Sequence, residues 1–290
     1  MNQTSQKEFI NCLYCDESKY LPWATENGFS AVKCSNCGLV YVNPRPILSL
    51  VSEAVRTGVH SDVEHGRTAI GKRMPSKVKH YKKILSRMFE DIWANSKTIS
   101  WLDVGAGYGE VIEAISQMAP AGSKIVGLEP MKPKAIHARA RNLTIKECYL
   151  NEIDEKFDFL SLINVYSHIP DFRTFLQDIK KVLTAKGEVF IETGNTADLK
   201  SRYEVPGELD LPDHLVFAGE KHLIGYLQES GFSIVSIERS RVDGLLKLVK
   251  NLIKRLIGRT DVSIKIPYTS SYRSLMIRAR LNSIKTDLVD

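Results

Sequence analysis

The chain has 290 residues, 43% of them hydrophobic and 26% charged, a balance that excludes wholesale disorder and leaves room for about two domains. No apolar run approaches the ~18 residues of a membrane span, and the first residues lack a secretory signal, so a cytoplasmic protein with reduced cysteines is expected. The net charge is +6, yet residues 239–290 hold 12 Lys+Arg against 4 Asp+Glu; this concentration at one end argues against a nucleic-acid footprint over the whole surface.

Four of the five cysteines fall in two pairs, Cys12-Leu13-Tyr14-Cys15 and Cys34-Ser35-Asn36-Cys37, separated by 18 residues. Each two-residue gap turns a pair of thiolates toward one ion, and two such turns make a closed tetrahedral sulfur shell, the spacing of structural zinc. Gly38 suits the end of the second turn. Cys148 stands apart and is expected as a small buried hydrophobe. Residues 1–45 are therefore expected as a zinc knuckle, closed by a short strand that stops at Pro44 and Pro46. Residues 46–98 read as a helical arm broken near Gly58, Gly66, Gly71 and Pro75. Its last long helix begins near Ser76, with a solvated basic face of Lys77, Lys79, Lys82, Lys83 and Arg87.

An apolar strand, Ile99–Val104, then runs into Gly105-Ala106-Gly107-Tyr108-Gly109-Glu110, and a helical pattern opens at once. Glycines let the backbone approach a ligand, and unpaired N–H groups at a helix start favour an anionic group. Glu110 stands where a dinucleotide site would need a third glycine, so a pyrophosphate cofactor is disfavoured. A second strand, Lys124–Leu128, ends at Glu129, 24 residues beyond Gly105, where a carboxylate can accept both hydroxyls of a ribose. Together these point to an adenosine-containing ligand without a diphosphate.

The motifs Leu102-Asp103-Val104-Gly105-Ala106-Gly107-Tyr108-Gly109 and Gly127-Leu128-Glu129-Pro130 resemble the class I S-adenosylmethionine-dependent methyltransferases, over roughly residues 99–282. The resemblance implies a doubly wound, seven-stranded, Rossmann-like α/β sheet over 99–290, preceded by the zinc knuckle and helical arm. It implies that Asp103, Gly105, Ala106, Gly107 and Tyr108 hold the methionyl end, that Glu129 with Pro130 holds the ribose, and that Asn151, after a third strand Ile145–Leu150, lies by the adenine. The segment Lys156–Asp171 is similar to the family's fourth strand and the loop beyond it, with Asn164 and Val165 lining the methionine side and His168 close behind. A helix Asp171–Leu183 and a fifth strand Glu188–Thr193 follow. The cysteine module ending in Cys-Gly-Leu-Val-Tyr is similar to bacterial sugar and surface-polysaccharide tailoring methyltransferases, which implies a hydroxyl or amine of a sugar or nucleotide-linked sugar as acceptor.

Methyl transfer from a sulfonium is an in-line displacement and needs one base when the acceptor is a hydroxyl. The long loop 196–218 contains Leu211-Pro212-Asp213-His214-Leu215, where His214 is the candidate base and Asp213 its partner. His222, on the following helix Glu220–Ser230, is expected at the surface. Between a sixth strand, Phe232–Glu238, and a seventh, Tyr272–Arg280, the insertion 242–260 reads as a basic amphipathic helix. It is either a lid with a solvated cationic face or a contact for the inner face of a membrane or an anionic carrier.

Two other functions stay open. An RNA methyltransferase would need a basic zinc module, but Cys12–Cys37 holds Lys19 and Lys33 against Asp16, Glu17 and Glu26. A non-catalytic cofactor-binding scaffold that recruits partners through its zinc module would keep Gly105, Gly107 and Glu129 without turnover.

Overall fold

In chain order, β1 (Lys7–Glu8), β2 (Tyr20–Glu26), β3 (Phe29–Cys34), β4 (Val40–Val42) and β5 (Arg45–Pro46) build a small antiparallel module. β1 pairs with β5, and β2, β3 and β4 form a meander. The β2–β3 turn is Asn27-Gly28, both at positive φ, the dipeptide that fits a tight hairpin. The computed structural model describes residues 6–60, 67–68, 70–241, 245–258 and 269–282. Gly66, both ends of the 242–260 insertion and the tail beyond 282 lie outside the described residues.

Next come α1 (Leu48–Thr57), a hairpin of β6 (Val59–His60) and β7 (Arg67–Thr68), then α2 (Pro75–Met88) and α3 (Glu90–Asn95). In the segment expected as a helical arm between the cysteine module and the main domain, α2 packs on the main sheet. Val78, Tyr81, Leu85 and Met88 recur at three and four along α2 and are buried with Phe89, Trp101, Phe159 and Phe190. Lys77, Lys79 and Lys83 are left on the exposed side.

The main domain continues through β8 (Ser100–Val104), α4 (Glu110–Ser116), β9 (Lys124–Leu128), α5 (Lys132–Arg139), β10 (Ile145–Lys146) and β11 (Phe157–Ile163). It is completed by α6 (Phe172–Val182), β12 (Leu183–Gly194), β13 (Val216–Phe217), α7 (Glu220–Glu229), β14 (Phe232–Arg241), α8 (Leu245–Leu256) and β15 (Arg273–Leu281). Seven strands form one sheet in the order β10-β9-β8-β11-β12-β15-β14, with β15 antiparallel to both neighbours and the other pairings parallel. This is the doubly wound α/β sheet expected from sequence. Both faces are covered, so neighbouring residues of one strand enter different cores: Trp101 and Phe159 pack beneath α2, while Leu102 and Leu160 pack toward α6 and α7. The third strand is shorter than expected, because the chain leaves the sheet after Lys146 and closes a 3₁₀ turn, Leu150–Glu152, in which Tyr149 N–H donates to the Glu152 carboxylate.

β13 belongs to the other sheet. It pairs with β4, so the small module is stitched to the loop after β12. The cluster that contains Cys12, Leu39 and Tyr41 is continuous with the core under α6 and α7. α8 does not behave as a packed lid: Val249, Leu252, Ile253 and Leu256 on its apolar side are 40–87% exposed. Among the described residues, no helix is long and apolar enough to cross a membrane.

One buried ion cluster ties the sheet to α3. Arg278, 3% exposed, donates to Glu188, Asp91 and the Met88 carbonyl, and stacks over the Phe89 ring at 4.4 Å. Removing Glu188 takes away the buried counter-charge and leaves Arg278 only the half-exposed Asp91 side chain and the Met88 carbonyl; breaking a buried ion pair costs up to about 3–5 kcal/mol. Glu188→Ala is therefore expected to lose stability of that order in urea denaturation.

Candidate functional site

The strand order reverses between β8 and β11, and open parallel sheets bind ligands at the carboxyl end of such a switch point. A cavity of about 650 Å³ opens there, within the size range of ligand pockets. Its floor is the Gly105–Gly107 turn. Gly105 sits at φ +70°, and a side chain there would meet Val165 at 2.6 Å. A Cβ on Gly107, at φ +55°, would meet no protein atom within 4 Å, so the turn presents bare backbone to open space.

Glu129 stands at the end of β9 and is 6% exposed. Its carboxylate accepts from Gly107 N–H at 2.7 Å and Met131 N–H at 2.8 Å, which locks the second strand end to the glycine turn. Burial raises its pKa, against the lowering effect of those two bonds. Pro130, Asn151, Asn164 and Val165 also line the cavity. Asn164 takes a left-handed backbone, φ 57°, that asparagine tolerates better than most residues. An open glycine cradle with a carboxylate beside it fits an adenosine-bearing cofactor.

Two other residues expected at the cofactor lie beside the cavity. Asp103, 1% exposed, accepts from the Ser161 hydroxyl on the neighbouring strand; burial pushes it up to about 7, and it acts as a strut under the turn. Tyr108 is drawn sideways, its hydroxyl donating to the Gly71 carbonyl and its ring edge-on to His137. Cys148, expected as a buried hydrophobe, is partly buried and lines the cavity. Sequence reasoning missed Tyr81 and Lys134, which line it as well, because they come from helices whose approach depends on packing.

The histidines divide differently from expectation. His168 and Asp213 line the cavity; His214 is not among the lining residues. His168 Nδ1 donates to the Asp213 carbonyl at 2.8 Å, so in the neutral ring Nε2 carries the lone pair. The Asp213 carboxylate lies 3.5 Å from that Nδ1 and 3.1 Å from His60 Nε2. Burial lowers the His168 pKa, but the Asp213 carboxylate outweighs it and the net direction is upward. Burial likewise opposes ionisation of Asp213, yet its bonds with His168 and His60 hold it below the usual carboxylate range. His214 turns back on its own loop, Nδ1 to the Leu209 carbonyl at 2.8 Å, with its ring 4.7 Å from His168. Burial first, then the neighbouring His168, lowers its pKa. His60 gave no local sequence signal; only the fold brings it to Asp213.

His222, expected at the surface, is fully buried. Gly219 N–H donates to its Nδ1 and its Nε2 donates to the Cys37 carbonyl, both at 3.1 Å, because the α7 face with Leu223 and Tyr226 packs on the cysteine module. Burial pushes its pKa down to about 4.

The four cysteines converge as their spacing implied. Cys12 and Cys37 sulfurs are 3.4 Å apart, Cys15 and Cys34 sulfurs 3.6 Å, and all four lie within 4.8 Å of one another. Zinc–sulfur bonds of about 2.3 Å put tetrahedral sulfurs roughly 3.8 Å apart, so the donor set fits. Cys37 and Leu39 N–H groups point at the Cys34 and Cys37 sulfurs at 3.5 Å, as suits thiolates.

Residues 72–237 match the family model described as "Methyltransferase domain". A ubiquinone biosynthesis O-methyltransferase of Pseudoalteromonas translucida is 22% identical over 46% of this chain and 63% of its own length. One from Haemophilus ducreyi is 33% identical over 32% of this chain and 44% of its own. The chain thus spans less than two thirds of these relatives. Among solved structures, a SAM-dependent methyltransferase from Archaeoglobus fulgidus shares the fold, with a TM-score of 0.51, 18% identity and coverage of 70% of this chain and 94% of that one. With the matched region extending over more than half of the chain and the cavity at its switch point, this protein belongs to the methyltransferase-domain family and has the fold of the class I S-adenosylmethionine-dependent enzymes.

Proposed function

We propose that the chain transfers a methyl group from S-adenosylmethionine to a hydroxyl of a small molecule, with His168 rather than His214 as the proton acceptor. The observation that carries this reading is the His168–Asp213 pair on the cavity wall: Nδ1 is tied down and the pair is charge-stabilised, so Nε2 is the nitrogen available to a substrate proton. Bound S-adenosylmethionine supplies an electrophilic methyl group. The chain's own residues hold it and place the acceptor. Gly105, Ala106 and Gly107 cradle the methionyl end, Glu129 with Pro130 receives the ribose, Asn151 lies at the adenine end, and Asn164 and Val165 shape the wall toward the acceptor.

Gly107 and Met131 N–H bond to different oxygens of Glu129, so Glu129→Gln keeps an acceptor for one of them, sets an amide NH2 against the other, and loses the charge. Charge-assisted bonds contribute about 1.5–3 kcal/mol, so affinity for the cofactor is expected to fall about 10- to 100-fold by calorimetry. Wild-type protein that binds neither S-adenosylmethionine nor its demethylated product would sink the proposal.

For the acceptor, a sugar or nucleotide-linked sugar follows from the likeness of the cysteine module to sugar-tailoring enzymes, and Lys77 and Lys134 on the cavity wall suit an anionic substrate. The curated relatives favour a second reading, a phenolic hydroxyl of a quinone precursor. Turnover of nucleotide sugars against catechols, with radiolabelled cofactor, separates the two. We further propose that Cys12, Cys15, Cys34 and Cys37 hold one structural zinc ion, within a unit of about residues 1–45 that precedes the connecting segment 46–98 and the catalytic part 99–290.

A further inference from the structure

α8 is unlike the other helices of the sheet. Wound at 100° per residue, Leu245, Leu248, Val249, Leu252, Ile253, Leu256 and Ile257 fill one half of its circumference, and Lys250, Asn251, Lys254 and Arg255 the other. The core elements of the fold turn such an apolar half inward. Here Leu245 is 57% exposed, Ile253 53%, Leu256 87% and Ile257 72%. No acidic residue occurs between Leu245 and Gly258.

We infer that α8 is a docking helix for an anionic lipid bilayer. Its charge pattern favours that occupant over a protein. Interfaces between proteins are depleted in lysine, whereas a helix lying in a bilayer surface places lysine and arginine along the borders of its apolar half, where their stems reach up to anionic headgroups. Lys250 lies at one border beside Ile257, and Arg255 at the other beside Leu248. The sheet also gives the helix a direction. Ser274 on β15 pairs with Gly194 at the carboxyl end of β12, and Arg273 pairs with Arg241 at the end of β14. The segment bearing α8 therefore leaves the sheet at the same edge as the cavity, and docking turns the cavity edge toward the bilayer. An acceptor delivered from a lipid surface would meet the site without leaving the membrane, an extension that rests on the proposed methyl transfer, whereas docking does not.

Co-sedimentation of the full chain with phosphatidylglycerol-rich vesicles tests docking apart from catalysis. Binding that weakens with added salt, is near background on pure phosphatidylcholine, and falls about tenfold or more in both the Leu252→Ser/Leu256→Ser and the Lys250→Glu/Lys254→Glu pairs is the expected result. Circular dichroism and cofactor binding are expected to be unchanged in both variants. Equal binding to neutral and anionic vesicles, binding indifferent to either pair, or no vesicle binding together with self-association abolished by Leu252→Ser/Leu256→Ser would overturn it.

Discussion

With Cys12, Cys15, Cys34 and Cys37 as the proposed zinc site, Cys34→Ser is expected to release the ion and to lower turnover by about 100-fold or more, while cofactor affinity stays within a few-fold of wild type. The cysteine module does not reach the cavity, but it holds the loop that does. β4 pairs with β13. The Glu26 carboxylate accepts from Leu209 N–H at 2.8 Å and Asp210 N–H at 2.7 Å, and Asn27 donates to the Leu211 carbonyl at 2.7 Å. Lys33 donates to the Ala197 and Leu199 carbonyls. Loss of the metal therefore loosens the loop carrying Asp213, and a misplacement near 1 Å at a reacting group costs on the order of 100-fold in rate. The Glu129 end of the cavity rests on β8 and β9 and is spared. Glu26→Gln provides the control for outright unfolding: zinc content measured by mass spectrometry should stay whole while turnover falls. A metal-free protein with full turnover would refute the coupling.

The second large effect concerns the proton. His168→Ala is expected to reduce kcat about 10²- to 10⁴-fold, the range for a positioned general base. Asp213→Asn provides the sharper test because its sign can be worked out. In wild type the Asp213 carboxylate raises the His168 pKa above its ordinary value of about 6.5, so the active neutral form accumulates only above that pH and the acid limb of the kcat profile lies on its alkaline side. With the carboxylate gone, burial is opposed only by the bond to the residue 213 backbone carbonyl, so the neutral ring gains and the limb moves to lower pH. The plateau is expected to stay closer to wild type than in His168→Ala, because the backbone carbonyl of residue 213 still accepts from Nδ1. A merely structural role would lower the plateau without moving the limb. His214→Ala is expected to change kcat far less than His168→Ala; the reverse ranking would restore His214 as the base.

Much of the architecture was legible because local rules and the fold agree. β9 occupies Lys124–Leu128 as expected, β8 differs from expectation by one residue at its start and β15 by one residue at each end, and α6 starts where Asp171 caps it through Thr174 N–H. The glycine turn and Glu129 stand at fixed spacing on two adjacent strands, so their meeting follows from the βαβ connection alone. The β2–β3 hairpin was also readable, from Asn27-Gly28, although cysteine spacing dominated that stretch. The third strand was overdrawn because Cys148–Leu150 has strand-like residues but a Glu152 side chain closes a turn instead.

The histidines mark the boundary of such reading. His60, His168 and Asp213 are separated by more than 40 residues at each step, and their meeting depends on how the cysteine module, the β6–β7 hairpin and the loop before β13 dock on the sheet. Nothing local separates a histidine that lines a cavity, His168, from one folded back on its own loop, His214, or from one sealed beneath the cysteine module, His222. Chemistry set by neighbours in the chain, namely four thiolates in two tight turns, a glycine cradle and a carboxylate at a strand end, is written in residue order because short-range geometry leaves few alternatives. The choice of base, the burial of His222 and the exposed apolar half of α8 are matters of which surfaces meet. Those depend on packing among elements distant in sequence, where the same residue pattern is compatible with either outcome until the fold closes.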